Sequence, residues 1–452
     1  MGIRRRESGT LGATSETTPH DAPRTLAEAP PRTLGLADQV ALWGNLGITL
    51  TVPVAGAFVL QPSAALPPLG LAAAITAVVL GTLIGSLVLA LAAVPGAETG
   101  APAMVLLRGL LGRRGSWTPT ALNIAQCVGW AAVEVAIIAD GASRLFPAIP
   151  REVFVLGAGA LATALALRPL GFVQGLRRYA VWLVLAATAY LFYEVLRRGA
   201  AAPAGGSWQG FWLGFDVVVA LPISWAPLAA DYARHARRPR DAFGGALVGF
   251  GLAATAYFLL GVLAVRALPG AGADPLGALI ALPAGGVALA ILVLDEVDEA
   301  FANVYSTALS AQNLGPALDR RLLAVGVGAV ATALGLVVDV AQYQNFLYLI
   351  GSVFIPLFAV LLVDYYLLRR GRWEAGPLAP ARPLMTVPWV LGFAAYQLLN
   401  PGTVPGWSDL WTRAQGALGW SPPPPWLSAS LTSFAVAALA TLAVRWRPER
   451  AR

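Results

Sequence analysis

GGVALAILVLDEVDEAFANVYSTALSA, residues 285–311, places four carboxylates within five positions of an otherwise apolar segment. The four are Asp295, Glu296, Asp298 and Glu299. The segment is long enough to cross a bilayer as one helix, and a charged side chain at the bilayer centre costs about 2.5–3.5 kcal/mol on insertion scales. Such a cluster is tolerated only where it faces a protein-lined aqueous cavity. The segment therefore predicts a transporter or an ion pathway.

The composition of the whole chain fits repeated membrane spans. Its 452 residues are 57% hydrophobic and 12% charged, which is more apolar than a soluble domain of this size needs. Its 48 glycines and 34 prolines are typical of closely packed or broken membrane helices. The net charge of +7 comes from arginines at predicted helix ends and in loops, so membrane topology explains it and we expect no nucleic-acid partner.

Hydropathy and Pro/Gly punctuation predict an all-α membrane protein with twelve spanning helices. The predicted spans are 36–60, 70–94, 119–146, 152–169, 178–196, 209–231, 242–267, 284–312, 321–340, 343–368, 384–400 and 426–445. We number these predicted helices 1 to 12.

The arginines predict the orientation of the spans. With the N-terminus inside, all of the 31 basic residues but six fall on the cytoplasmic side; the exceptions are Arg144, Arg151, Arg197, Arg198, Arg266 and Arg413. The positive-inside rule then predicts a multi-pass membrane protein with both termini in the cytoplasm. Residues 1–34 lack the apolar core of a signal peptide and are predicted to form a disordered cytoplasmic tail.

Two predicted helices carry helix-breaking residues near their centres. Helix 1 has two threonines between Gly47 and Pro53, and helix 6 has Pro222 and Pro227. A kinked structural helix explains one proline, whereas paired interruptions five helices apart indicate discontinuous helices beside a cavity. Helices 3 and 8, also five apart, both carry acids. We therefore predict a five-plus-five inverted repeat over residues 35–372, followed by two accessory helices and a cytoplasmic C-terminus over 373–452.

Predicted helix 3 contains a candidate substrate platform. Trp130 and Glu134 are four residues apart and so share one helix face. An indole beside a hydrogen-bonding acid suits a small, flat, polar heterocycle. Trp225 could supply a second aromatic wall, and Asn303 an amide that both donates and accepts. Packing explains a single tryptophan equally well, but an acid inside a membrane helix indicates function or ion pairing.

Five stretches together resemble the nucleobase–cation symporter family 1, and especially its bacterial cytosine and hydroxymethylpyrimidine permease branch. The resemblance covers about residues 35–372 and rests on ALWGNLGITL (41–50), GWAAVEV (129–135), SWAPLAADYARHARRPRDA (224–242), DEVDEAFANVYSTALSAQN (295–313) and YQNFLYLIGSVFIPLFAVLLVDYYLLRRG (343–371). It implies the leucine-transporter-type fold, with alternating access around a site between helices 1, 3, 6 and 8. It also implies a transporter rather than an enzyme, with no cofactor besides a coupling ion.

The resemblance also implies roles for individual residues. Trp130 and Trp225 match the two aromatics that sandwich the substrate, Glu134 lies where many members have glutamine, and Ser224 lies where glycine is common. Asn303 matches an asparagine that hydrogen-bonds the substrate. The full set of implied substrate-binding residues is Thr49, Trp130, Glu134, Ser224, Trp225 and Asn303.

The family's cation site uses backbone carbonyls of helix 1 and groups of helix 8. The matching residues here are Asn45, Ile48, Leu294, Val297 and Asp298. Asp298 replaces the usual hydroxyl residue, which leaves two interpretations. An ionised Asp298 would strengthen a sodium site, since hard cations prefer carboxylate oxygen, whereas a desolvated Asp298 could carry a proton. A slip of one residue would move this role to Glu299 or Val297.

These observations predict a secondary active symporter that imports a small pyrimidine, cytosine or hydroxymethylpyrimidine, with Na⁺ or H⁺. The alternative is a same-fold transporter of a purine, allantoin, hydantoin or amino acid, although paired tryptophans argue against an amino acid. An intramembrane enzyme is disfavoured because both histidines, His20 and His235, lie outside the spans. A channel would not require two broken helices, and no obligate protein partner is evident.

Overall fold

The computed structural model describes residues 23–168, 170–199, 206–338, 343–373 and 375–445. Within these ranges the regular secondary structure is helical, apart from two isolated β-bridges. Five helical segments are long and apolar enough to cross a membrane: Leu71–Thr99, Trp117–Leu145, Phe211–Ala233, Pro239–Ala267 and Tyr343–Leu368. The all-α membrane architecture is therefore confirmed, and the count of twelve spans stays a prediction.

The α-helices of the described ranges follow one another in chain order as α1 (Leu36–Asn45), α2 (Thr51–Leu60), α3 (Leu71–Thr99), α4 (Ala103–Leu111), α5 (Trp117–Leu145), α6 (Arg151–Leu167), α7 (Leu170–Leu196), α8 (Phe211–Trp225), α9 (Ala229–Ala233), α10 (Pro239–Gly244), α11 (Gly251–Ala267), α12 (Pro275–Ile280), α13 (Gly285–Leu314), α14 (Arg320–Gly335), α15 (Tyr343–Leu362), α16 (Thr386–Leu399), α17 (Trp407–Ala417) and α18 (Ala429–Arg445). Predicted helices 3, 8 and 10 correspond to α5, α13 and α15. The short helices α4, α12 and α17 are additions that the hydropathy pattern does not reveal.

Predicted helix 1 is interrupted, as expected from its threonines and proline. It consists of α1 and α2, separated by residues 46–50. Glycine is required close to this interruption, since a Cβ on Gly56 would lie 2.7 Å from the backbone carbon of Gly261 on α11. Gly56 and Gly261 let the backbones of α2 and α11 approach closely, so the two helices pack against each other.

Predicted helix 6 is interrupted less than helix 1. Its proline at 222 lies inside α8, and only the 3₁₀ turn Ala226–Leu228, which contains Pro227, separates α8 from α9. A 3₁₀ turn tightens the chain without leaving several residues unwound. The discontinuity is therefore a single turn beside Trp225 rather than an extended break.

The site lies where α5 and α13 pack together, which is the most extensive helix contact of the described chain. α13 also packs on α6, α7 and α14, while α3 packs on α8. The helices α15, α16 and α18 pack against one another. Asp216 of α8 holds the start of α18, because its carboxylate accepts hydrogen bonds from the Ser428 hydroxyl (2.5 Å) and the Ala429 amide (2.8 Å).

Residues 23–34 belong to the predicted disordered tail, yet the structure places them against the helix ends. The Leu34 amide donates to the His235 carbonyl (3.0 Å), and the Arg237 amide donates back to the Leu34 carbonyl (2.8 Å). The carbonyl of Arg24 accepts from the Gln312 side chain (2.6 Å). The described part of the tail thus makes hydrogen bonds to the helix ends, and the disordered tail stays a prediction; residues 1–22 lie outside the described residues.

Buried His235, which contacts the segment at 23–34, makes stability depend on pH. Burial, followed by the nearby charge of Arg234, lowers the pKa of His235 from 6.5 to about 3. As pH falls below about 6.5 the unfolded chain takes up a proton at this histidine that the folded chain does not, so stability falls. Between pH 7 and pH 5 the loss attributable to this group is about 2 kcal/mol.

We expect His235→Gln to lose less stability than the unsubstituted protein when pH is lowered from 7 to 5. The measurement is the free energy of unfolding in detergent at both pH values. His20→Gln, at the other histidine of the chain, is the matched control and keeps the full pH dependence. Equal pH dependence of the unsubstituted protein and His235→Gln would contradict the assignment.

Candidate functional site

One face of α5 points toward α13 and carries the predicted platform. Trp130 and Glu134 are both buried, at 5% and 2% exposure. The Asn303 side-chain amide lies 3.5 Å from Glu134 Oε1 and donates to the Glu299 carbonyl at 3.2 Å. The structure therefore brings Glu134 and Asn303 together across the α5–α13 interface; their roles in binding a substrate stay predictions.

The two predicted aromatic walls lie in different aromatic clusters. Trp130 makes edge-on contacts with Tyr343 (5.6 Å between ring centroids) and Phe346 (5.3 Å) of α15. Trp225 contacts Phe250, 6.1 Å away. Among the ring contacts of the described residues, the two tryptophans do not touch one another. Their joint action on a substrate ring stays a prediction.

Gln126 is a site residue that sequence reasoning missed. It lies on α5 one turn before Trp130, and its side-chain amide donates to the Ser224 carbonyl at 2.9 Å. This bond ties α5 to the end of α8, next to Trp225. The Ser224 hydroxyl donates instead to the Leu221 carbonyl (2.6 Å), so its hydrogen bond stays within α8. Gln126 is four residues from Trp130 and so lies on the same helix face, which is the sequence signal that could have identified it.

Glu296 closes the interruption of predicted helix 1. Its Oε1 accepts from the Thr49 hydroxyl at 2.6 Å, and its Oε2 accepts from the Leu50 amide at 2.7 Å. A carboxylate at the start of a helix satisfies free amides and opposes the positive end of the helix dipole. Thr49 and Glu296 thus link α13 to the first residues of α2. The sequence identified this acid as part of the cluster but assigned it no role.

The predicted cation residues lie at the end of α1, within the interruption and on α13. The Asn45 side-chain amide donates to Asp298 Oδ2 at 2.8 Å, and the buried Asn45 Oδ1 has no hydrogen-bond donor among the described residues. Ile48 and Val297 are buried, whereas Leu294 is 72% exposed, so its side chain points away from the site. Oxygen ligands available to a cation are those of Asn45 and Asp298, together with backbone carbonyls.

Glu299 differs from its neighbours on α13. Its side chain is 1% exposed, and neither carboxylate oxygen has a hydrogen-bond partner within the described chain. The charges of Glu134, Glu296 and Asp298 all act on it. The second oxygen of Glu134 is likewise buried without a partner there. The site therefore contains acceptor oxygens that no described protein donor satisfies.

A family model described as permease for cytosine/purines, uracil, thiamine and allantoin matches residues 30–382. The cytosine permease of Escherichia coli strain K12 is 30% identical over 356 residues, which cover 73% of this chain and 79% of that protein. A purine-cytosine permease of Bacillus subtilis strain 168, YxlA, is 25% identical over 344 residues, covering 70% of this chain and 75% of that protein.

Solved structures share the fold along nearly the whole chain. Mhp1, a nucleobase-cation-symport-1 family transporter, in a closed conformation with bromovinylhydantoin bound, superposes with a TM-score of 0.73 at 18% identity and covers 95% of both chains. Its inward-facing conformation gives a TM-score of 0.65 at 17% identity, covering 96% of this chain and 95% of that one. The predicted leucine-transporter-type fold is confirmed.

We expect Glu296→Gln to lower the free energy of unfolding in detergent by about 1–3 kcal/mol, because an amide cannot accept hydrogen bonds on both sides. Thermal unfolding measures the effect. Glu299→Gln, the same change one turn away, is the control: it has no donor to lose, so stability does not fall. Equal losses in the two variants would show that the contacts with Thr49 and Leu50 are not stabilising.

Proposed function

Because this chain belongs to the family of permeases for cytosine and purines, uracil, thiamine and allantoin, we propose that it is a secondary active symporter importing a small pyrimidine-type nucleobase. The proposed substrate is cytosine or hydroxymethylpyrimidine, and the proposed coupling ion is Na⁺ or H⁺. The chain is a transporter and not an enzyme, and its resemblance to the nucleobase–cation symporter family is confirmed.

The observation that carries the proposed substrate is the pairing of Glu134 with Asn303 beside Trp130. A carboxylate accepts hydrogen bonds from an exocyclic amine, and an asparagine amide can both donate and accept. The indole offers an apolar surface to a flat ring. This combination supports an aminopyrimidine over uracil or hydantoin, which lack the exocyclic amine.

The contacts between α13 and predicted helix 1 support the proposed coupling. Asn45 precedes the interruption and contacts Asp298, while Thr49 and Leu50 lie at its end, just before α2, and contact Glu296. A cation bound near Asn45 and Asp298, or a proton carried by Asp298, would stabilise one arrangement of α1 against α13. Coupling then results from differential binding to the outward-open and inward-open states.

The proposed location is a bacterial inner membrane with both termini in the cytoplasm. The distribution of arginines supports this orientation. The proposed partners are the small-molecule substrate, the coupling cation and the lipid bilayer. We propose no nucleic-acid partner and no obligate protein partner.

We expect reconstituted protein to accumulate radiolabelled cytosine when a sodium or a proton gradient is imposed separately, with hydroxymethylpyrimidine competing and allantoin competing less. Glu134→Ala should lower cytosine uptake by at least about tenfold, because a hydrogen bond to a charged group contributes about 1.5–3 kcal/mol. Glu152→Ala, at an exposed acid at the start of α6, is the matched control and retains uptake.

The outcomes separate the parts of the proposal. Stimulation by sodium alone supports Asp298 as a cation ligand, and stimulation by a pH gradient alone supports it as a proton carrier. Unchanged uptake in Glu134→Ala would remove this acid from the substrate site. Absence of heterocycle uptake under either gradient would overturn the substrate assignment.

A further inference from the structure

The side-chain amide of Gln126 on α5 is held in one orientation by its neighbours. Its Nε2 donates to Asn123 Oδ1 at 3.0 Å and to the Ser224 carbonyl at 2.9 Å. Asn123 itself donates through Nδ2 to the Ser310 hydroxyl at 2.9 Å, so its Oδ1 is the atom that faces Gln126. Exchanging the nitrogen and oxygen of Gln126 would set an oxygen against two acceptors. The amide nitrogen is therefore committed to these two bonds.

The oxygen of the same amide is a buried acceptor that no described group satisfies. Gln126 is 4% exposed, and its Oε1 has no hydrogen-bond partner among the described residues. Because the oxygen and nitrogen of one amide are about 2.3 Å apart, Oε1 lies within about 5.5 Å of the Ser224 carbonyl. This places the free acceptor where α5 meets the end of α8. A ligand that supplies an N–H there removes the cost of an unpaired buried acceptor.

Gln126 belongs to a regular series on one face of α5. Gln126, Trp130 and Glu134 follow one another at four-residue intervals, and all three are buried. Residues four apart share a helix face and rise about 6 Å along the axis, so Gln126 and Glu134 are about 12 Å apart with Trp130 midway. The outer two side chains end in oxygens without donors in the described chain, Gln126 Oε1 and Glu134 Oε2. The face therefore presents an indole flanked by two acceptors.

This spacing suits a flat ring with N–H donors at opposite edges. A ring N–H and an exocyclic amine para to it are roughly 4 Å apart, and two hydrogen bonds of about 2.9 Å extend the span to roughly 10 Å. That span is close to the separation of the two acceptor positions. Cytosine carries both donors, at N1 and at the 4-amino group. Hydroxymethylpyrimidine has the amine, but a bare nitrogen stands at the opposite edge and offers only a lone pair.

We propose that Gln126 is a substrate-binding residue that determines specificity, with its Oε1 accepting a hydrogen bond from a ring N–H para to the amine that Glu134 accepts. This inference rests on the proposed function and narrows its substrate class to aminopyrimidines with such an N–H, thus to cytosine rather than hydroxymethylpyrimidine. It does not depend on the protonation of Glu134, because a carboxyl group keeps an acceptor oxygen in either state and an amide oxygen always accepts.

The first test compares cytosine with two analogues that lack the ring N–H. In 4-amino-2-methylpyrimidine a bare nitrogen takes its place with little change in shape. In 1-methylcytosine a methyl group replaces the hydrogen and the 2-oxo group stays. Each compound competes with radiolabelled cytosine for binding to the full-length protein in detergent. We expect both analogues, and hydroxymethylpyrimidine, to bind at least about tenfold more weakly than cytosine, since each leaves a buried acceptor unpaired.

Two variants assign this preference to Gln126. Gln126→Leu removes the acceptor at nearly constant size, so the preference for cytosine over 4-amino-2-methylpyrimidine should fall below about threefold. Asn123→Ala is the matched control: it removes one partner of the same amide but leaves Oε1 in place, so it keeps the preference whatever its effect on overall affinity. A purely structural role of Gln126 would weaken both ligands alike and leave their ratio unchanged. Elution as a single species on size-exclusion chromatography shows that each variant is folded.

Two results would overturn this inference. Binding of 1-methylcytosine or 4-amino-2-methylpyrimidine as tight as that of cytosine would show that the protein does not recognise the ring N–H, while leaving the proposed pyrimidine symporter intact. An unchanged preference in Gln126→Leu would assign the N–H to another acceptor. If Gln126→Leu does not fold, the ligand comparison on the unsubstituted protein decides alone. Failure of cytosine and of every aminopyrimidine to bind would instead refute the proposed function.

Discussion

The carboxylate of Glu296 at the start of α2 is the contact on which the rest of the site depends. A helix interrupted within a membrane exposes amide groups that neither lipid nor neighbouring backbone can satisfy. Glu296 accepts from the Thr49 hydroxyl and the Leu50 amide, and so fixes where α2 begins and how it meets α13. Because α13 also packs on α5, the same contact sets the distance between the interruption and the platform of Trp130 and Glu134.

Helix geometry gives three of the acids of α13 different surroundings. Consecutive residues of a helix point about 100° apart, so neighbouring carboxylates face different partners. Glu296 accepts from the Thr49 hydroxyl, Asp298 accepts from the Asn45 amide, and Glu299 is buried without a donor in the described chain. One short stretch of sequence thereby combines a structural contact with a candidate cation ligand.

Whether the sequence can predict a site residue depends on whether its role involves one helix or a contact between two. Trp130 and Glu134 share a helix face through their spacing alone, so the sequence suffices to group them. The contact between Glu134 and Asn303 joins two helices and is seen only in the structure. Gln126 escaped prediction because its importance comes from a bond to the Ser224 carbonyl on another helix. The relation of Trp130 to Trp225 stays a prediction, since each packs in its own aromatic cluster.

The amino-acid sequence by itself determined that this protein is an all-α membrane transporter with an interrupted first helix, because long apolar segments, prolines and mid-span acids act through local chemistry and the cost of burial in lipid. It also indicated the family through stretches such as GWAAVEV and DEVDEAFANVYSTALSAQN. Only the tertiary structure decided which acid each donor satisfies, how slight the interruption near Trp225 is, and that residues 23–34 pack against the helix ends. Those outcomes depend on pairs of groups far apart in the chain, whose hydrogen bonds exist only after the helices have packed.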